Sequence, residues 1–199
     1  MKIIGIEGNY GTGSQQEDGL PGIYLMCDSS LLKDGKPFFV PDFAERFVAY
    51  PTIVVQICRL GKNIARRFAH RYYDKMTVGL SVEAVGMNDR FAGGGGCGAL
   101  NRAFDGAAIL GDMVDVAAAG EMTAVEYAVT EGGRECFAGS TAMLQHGIDE
   151  LIEHVSRYMT LKIGDYIFVS RPQEGVPLHI GMQIAATIAG QEVLRVKVK

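Results

Sequence analysis

The chain has 199 residues, 48% apolar and 21% charged, with a formal net charge of −4. That length and balance fit one globular domain with a sizeable core, and the scattered lysines and arginines form no basic stripe for nucleic acid. No apolar run reaches the roughly 20 residues of a membrane-spanning helix, which argues against a membrane partner.

The opening Met1-Lys2-Ile3-Ile4-Gly5 is strand-like and too short for the apolar core of a signal peptide. Further strand patterns fall at residues 23–26, 38–40 and 53–59. A helix is predicted over residues 63–74, where Ile64, Phe68 and Tyr72 recur at four-residue spacing after Gly61-Lys62. Residues 78–85 and 123–130 again read as strands, the latter followed by a hairpin turn at Glu131-Gly132-Gly133-Arg134. Residues 141–159 predict the stronger helix, with Leu144, Ile148, Leu151, Ile152, Val155 and Met159 on one stripe and Thr141 as its N-cap. Strands at 166–169, 183–188 and 192–198 complete the chain. Many short strands, two helices and no βαβ rhythm predict a β-rich α+β domain.

Cys27, Cys58, Cys97 and Cys136 are widely spaced and form no CxxC pair, so neither structural zinc nor a disulfide framework is expected. Four thiols without an export signal point to the reducing cytoplasm. Gly11-Thr12-Gly13-Ser14 and the run at 93–98 lack the Lys-Ser/Thr ending of a phosphate loop. Cys97 lies in that glycine run and reads as incidental rather than reactive. His70, His146, His154 and His179 show no metal spacing and read as surface or satisfied residues.

Several motifs, in order, resemble one family. They are Asn9-Tyr10, the loop Ser29-Ser30-Leu31-Leu32-Lys33-Asp34-Gly35-Lys36-Pro37-Phe38, the segment Asn101-Arg102-Ala103-Phe104-Asp105, and Thr160-Leu161-Lys162-Ile163-Gly164-Asp165 before the last strands. Together they resemble the fumarylacetoacetate hydrolase family over nearly the whole chain. The resemblance implies one rolled-sheet domain over 1–199, with a strand-and-loop segment of about 1–40 packed on it, and homodimeric assembly. It also implies an enzyme that hydrolyses or isomerises acylpyruvates and other 2-oxo acids with Mg²⁺ or Mn²⁺ held by carboxylates. A hard cation of this kind takes oxygen ligands and stabilises an enolate.

The residues that would carry that chemistry are replaced. Tyr50-Pro51-Thr52-Ile53 stands in the frame of the family's Tyr-Glu-x-Glu, which puts Pro51 and Ile53 at the two carboxylate positions. Ser81 takes the place of the third ligand, an aspartate, and Gly13 that of the histidine after Asn-Tyr. Arg102 replaces the lysine of Lys-x-Phe-Asp, and Val169-Ser170-Arg171-Pro172 replaces Thr-Gly-Thr-Pro. No cation is therefore expected at this site; a site with acids placed elsewhere would take Mg²⁺ or Mn²⁺.

Arg102, Arg171, Glu83, Ser81 and Tyr50 are the candidate pocket residues. The two arginines either bind a small carboxylate bidentately, fill the former cation site by pairing with Glu83, or are solvated. Glu83 itself reads as a polar strand residue or a displaced ligand, and Asp89 and Asp105 as turn residues. The expected function is a catalytically inactive or small-acid-binding homologue. The alternatives are a 2-oxo-acid hydrolase, isomerase or decarboxylase with a rebuilt site, and a non-catalytic subunit of an active paralogue.

Overall fold

A computed structural model describes residues 1–11, 19–33, 35–87 and 99–199. Asp89, Cys97, Gly13 and the glycine run at 93–98 lie outside the described residues. In chain order the strands and helices are β1 (Ile3–Glu7), β2 (Gly22–Met26), β3 (Leu31–Leu32), β4 (Arg46–Ile57), α1 (Arg66–Ala69), β5 (Tyr73–Val85), β6 (Ala108–Leu110), β7 (Val114–Asp115), β8 (Glu126–Glu131), β9 (Arg134–Ser140), α2 (Ile148–Tyr158), β10 (Tyr166–Phe168), β11 (Val176–Leu178), β12 (Gln183–Ile188) and β13 (Gln191–Lys197). The expected β-rich α+β fold is present. Among the described residues no helix is long and apolar enough to cross a membrane.

The larger sheet follows the order β2-β1-β10-β4-β5-β6-β3, with β11 on β4 and β7 on β5. Its spine is the antiparallel pair β4–β5, which stays in register from Arg46↔Val85 to Gln56↔Lys75 and shifts by one residue before Ile57↔Tyr73. The smaller sheet is β13-β12-β8-β9. Ile53, Val55, Val78, Leu80 and Val82 pack in one core with Val129, Ile184 and Val196 of the small sheet and Leu151, Ile152 and Val155 of α2. A second, smaller core gathers Ile3, Val54, Leu110 and Phe168.

Several predicted elements change extent. The helix expected over 63–74 shrinks to the four residues of α1, because β5 takes Tyr73 onward and Tyr73 pairs with Ile57. The strands expected at 53–59 and 78–85 are parts of much longer ones that start at Arg46 and Tyr73. Phe38 makes only an isolated bridge to Val198 rather than the core of a strand. Thr141 opens a 3₁₀ turn and not the long helix. α2 begins after Gly147, whose N–H donates to the Glu150 carboxylate at 3.0 Å, the glutamate half of a capping box. The hairpin turn falls as expected, with Gly132 at φ 56° and Gly133 at φ 88°. Two successive positive φ values are the geometry that matches strand twist, and glycine adopts them without a Cβ clash.

Asp165 ties distant parts of the sheet together. Its side chain is fully buried and accepts hydrogen bonds from the backbone N–H of Lys2 at 2.7 Å and of Lys162 at 2.8 Å. Lys2 Nζ adds an ion pair at 2.5 Å. Asp165→Ala removes the acceptor from two amides and the partner from one ammonium. It is expected to cost about 3 kcal/mol in urea unfolding followed by circular dichroism, whereas Lys197→Ala, exposed at the end of β13, is expected to be neutral.

Candidate functional site

Register decides which side chains can meet. Opposed residues of an antiparallel pair share a face, and neighbours along a strand alternate. Tyr50 lies opposite Ser81, Thr52 opposite Gly79, and Val48 opposite Glu83. Tyr50, Thr52, Ser81 and Glu83 therefore occupy one face of the spine. Pro51 and Ile53 lie opposite Leu80 and Val78 on the other face, where Ile53, Val78 and Leu80 belong to the main core. This corrects the sequence reading by one residue: Pro51 and Ile53 point away from Ser81, and Tyr50 and Thr52 are the positions beside it. The shift restores no acid.

On that face the structure brings Glu83, Arg102, Arg171, Tyr50 and Ser81 together. Arg171 Nη2 donates to Glu83 Oε2 at 2.6 Å, and Arg102 Nη2 approaches the same oxygen at 3.4 Å. Arg102 Nη1 is 2.6 Å from Glu7 Oε1, and Asn101 Nδ2 donates to Glu83 Oε1 at 3.2 Å. Each guanidinium also stacks on an aromatic ring: Arg171 over Tyr50 at 3.7 Å and Arg102 over Tyr24 at 4.9 Å. Ser81 Oγ and the Tyr24 hydroxyl lie 3.1 Å apart, and Thr52 Oγ1 and Ser170 Oγ 2.8 Å apart. The side chains of Glu83 and Arg102 are each 15% exposed and that of Arg171 24%.

The electrostatics are balanced, with two carboxylates against two guanidinium groups. Burial works against the charge on Arg102, but Glu7 and then Glu83 outweigh it and hold its pKa above the ordinary guanidinium value. Burial raises the Tyr24 pKa despite its bond to Ser81 and the nearby Arg102 charge, so it is a neutral phenol at pH 7. Arg102 Nε, Arg171 Nε and Asn101 Oδ1 have no hydrogen-bond partner among the described residues.

This donor set does not fit a divalent cation. Ser81, Thr52 and Tyr50 offer hydroxyls rather than carboxylates, and Glu83, the carboxylate on their face, directs its oxygens to two guanidinium groups and an amide. Two fixed positive charges beside it oppose a third. No cluster of three or more histidine, cysteine or acidic side chains suited to a metal occurs among the described residues.

Sequence reasoning missed Glu7, Tyr24 and Asn101. Glu7 had one signal, an acid ending the apolar run Ile3-Ile4-Gly5-Ile6, and Gly5 has another, because a Cβ there would run into the Tyr24 ring. Asp105 is an exposed turn residue away from these contacts. His154 is buried, with Nε2 3.0 Å from the Pro21 carbonyl, the second of the two alternatives expected for it. Cys27, Cys58 and Cys136 are free thiols.

A β-rich domain of this kind is also the fold of solved relatives. The structure superposes on fumarylpyruvate hydrolase from Pseudomonas aeruginosa, solved with Mn²⁺ and pyruvate, with a TM-score of 0.86 and 18% identity. That match covers 100% of this chain and 89% of the other. The sequence model of the fumarylacetoacetate (FAA) hydrolase C-terminal domain matches residues 6–199, and the chain belongs to that family. It is 26% identical over 193 residues to an uncharacterized protein of Pyrococcus horikoshii, covering 95% of this chain and 84% of that one. It is 22% identical over 152 residues to the mitochondrial oxaloacetate tautomerase of Caenorhabditis elegans, covering 76% of this chain and 71% of that one.

A double-mutant cycle on Glu83→Ala and Arg171→Ala measures the shortest contact of the network. At this burial and distance the coupling is expected at about 1–3 kcal/mol by denaturant unfolding, and a value near zero would mean that the pair contributes contact without stability.

Proposed function

We propose that this chain is a fumarylacetoacetate hydrolase-family protein in which an arginine–glutamate network takes the place of the divalent cation. It binds a small organic acid and does not perform metal-dependent hydrolysis. The observation that carries this reading is Glu83 Oε2 bridging Arg171 and Arg102 on the face shared by Tyr50, Thr52 and Ser81. A half-buried carboxylate already held by two guanidinium groups and an amide has little left to offer a cation. The unspent Nε–H groups of Arg102 and Arg171 are the donors for an incoming carboxylate.

A 2-oxo acid is the natural ligand class for such donors. Its carboxylate takes an arginine edge, and its keto oxygen accepts from a neutral phenol such as Tyr24. Because the two glutamates offset the two arginines, attraction for the anion is modest. We further propose a homodimer, the assembly that the family resemblance implies, to be checked by light scattering for twice the chain mass, and a cytoplasmic location, which the thiols without an export signal support.

A second reading keeps turnover with a rebuilt site. It rests on the Tyr24–Ser81 hydroxyl pair beside Arg102, which could relay a proton to an enolate held by the arginines. Under it, oxaloacetate or an acylpyruvate turns over without added metal, and Arg171→Ala abolishes the rate.

Titration calorimetry separates the readings. Pyruvate or oxalate is expected to bind with a Kd of about 0.1–1 mM, equivalent to roughly −4 to −5.5 kcal/mol, and at least tenfold more weakly to Arg171→Ala. Mn²⁺ is expected to give no binding heat below millimolar concentration. Micromolar Mn²⁺ affinity together with chelator-sensitive turnover of an acylpyruvate would overturn the proposal.

A further inference from the structure

A cavity of about 550 Å³ lies on the small sheet. None of the residues of the arginine–glutamate network lines it. Its apolar wall is Tyr10, Tyr127 and Met143, its floor includes Gly139, and Glu126 and Glu135 bring two carboxylates to the rim. No lysine, arginine or histidine is among the described residues that line it. An adjoining cavity of about 450 Å³ shares Tyr10 and Met143, adds Glu174, and again has no basic residue among its described lining.

Two features make this more than a surface dent. Tyr127 is only 4% exposed, and its buried hydroxyl has no hydrogen-bond partner among the described residues. The hydroxyls of Tyr10 and Ser170 are its polar neighbours, near enough to perturb its titration but outside hydrogen-bond geometry. A phenol left without a partner at such a depth costs free energy. Burial, reinforced by Tyr10, holds its pKa far above the usual phenol range, so it stays neutral and keeps its acceptor lone pairs.

The second feature is Gly139, which pairs with Tyr127 across β8–β9. A Cβ at Gly139 would fall 2.7 Å from the Tyr127 hydroxyl and 2.8 Å from that of Tyr10. The missing side chain therefore lets both phenol ends close on the β9 backbone. Tyr10 Oη already accepts the Ser140 N–H at 3.3 Å, which fixes that ring at the wall.

We propose that this cavity binds an organic cation, a primary ammonium carried on a small apolar body. The volume suits a small molecule. Aromatic faces and a thioether attract an ammonium through their electrons, and the phenol oxygens of Tyr127 and Tyr10 accept its N–H bonds. Glu126 and Glu135 supply the opposite charge, with no fixed cation on the wall to compete. The site differs in sign from the arginine network, so the two recognise different ligands.

The test uses the full chain and isosteric probes that differ in charge: benzylammonium, benzyl alcohol and benzoate, followed by ¹H–¹⁵N shifts and calorimetry. Benzylammonium is expected to shift the amides of Gly139, Ser140 and Glu126 and to bind at least tenfold more tightly than benzyl alcohol. Benzoate is expected to leave those amides in place. The exposed double variant Glu126→Gln/Glu135→Gln is expected to weaken benzylammonium at least fivefold with unfolding unchanged. Gly139→Ala, if it folds, is expected to abolish binding, and the glutamine variant decides the matter if it does not. Equal affinity for benzylammonium and benzoate, shifts confined to other residues, or an unaffected glutamine variant would each overturn the proposal. Loss of pyruvate binding at Arg171 would not, since the two sites share no residue.

Discussion

The register between β4 and β5 is the constraint on which the site depends. These two strands share eleven in-register pairs before their shift, and every residue on them is committed to one face or the other. One face is filled by Ala49, Ile53, Val55, Val78, Leu80 and Val82, all almost inaccessible to solvent. A slip of one residue would bury Glu83 in that core and expose the aliphatic row, a change far too costly to tolerate. Hydrophobic burial thus positions the polar cluster, although Tyr50, Thr52, Ser81 and Glu83 lie on the opposite face.

Within that frame, charge is balanced from inside the chain. A cation site and an arginine–glutamate network solve the same problem, which is how to keep carboxylates in a half-buried place. A divalent ion does so with a ligand that can leave. Two guanidinium groups do so with covalently attached ones, stacked on Tyr24 and Tyr50, so their positions are fixed by packing as well as by charge. Removing one partner of such a network leaves a charge without compensation, which makes its members interdependent.

The β-rich class, the hairpin at Gly132-Gly133 and the strong helix around Leu151 and Val155 were legible because each has a local signal. The four-residue spacing of Ile64, Phe68 and Tyr72 misled for a physical reason. Ile64 and Tyr72 do turn inward, but the chain between them makes only one helical turn before Tyr73 joins the sheet. Arg102, Arg171 and Glu83 were legible as a trio of possible partners. Their meeting brings Arg102, 19 residues from Glu83, together with Arg171, 88 residues from it, and Glu7 and Tyr24 enter from β1 and β2 across a parallel pairing that leaves no periodic trace. The one-residue error at Pro51 and Ile53 came from matching letters in a motif. Counting faces from the buried alternation of Ala49, Ile53 and Val55 would have placed Tyr50 and Thr52 beside Ser81.

The parallel contact between β1 and β10, locked by Asp165, has a consequence for biosynthesis. Strand β1 can form its hairpin with β2 early, yet its other edge waits for a partner more than 160 positions downstream. While the ribosome is still translating, the edge formed by Ile3, Ile4 and Gly5 stays open to other nascent chains. Closure of the sheet is thus a late, non-local event, and the interval before it is the moment at which this polypeptide has most need of a chaperone.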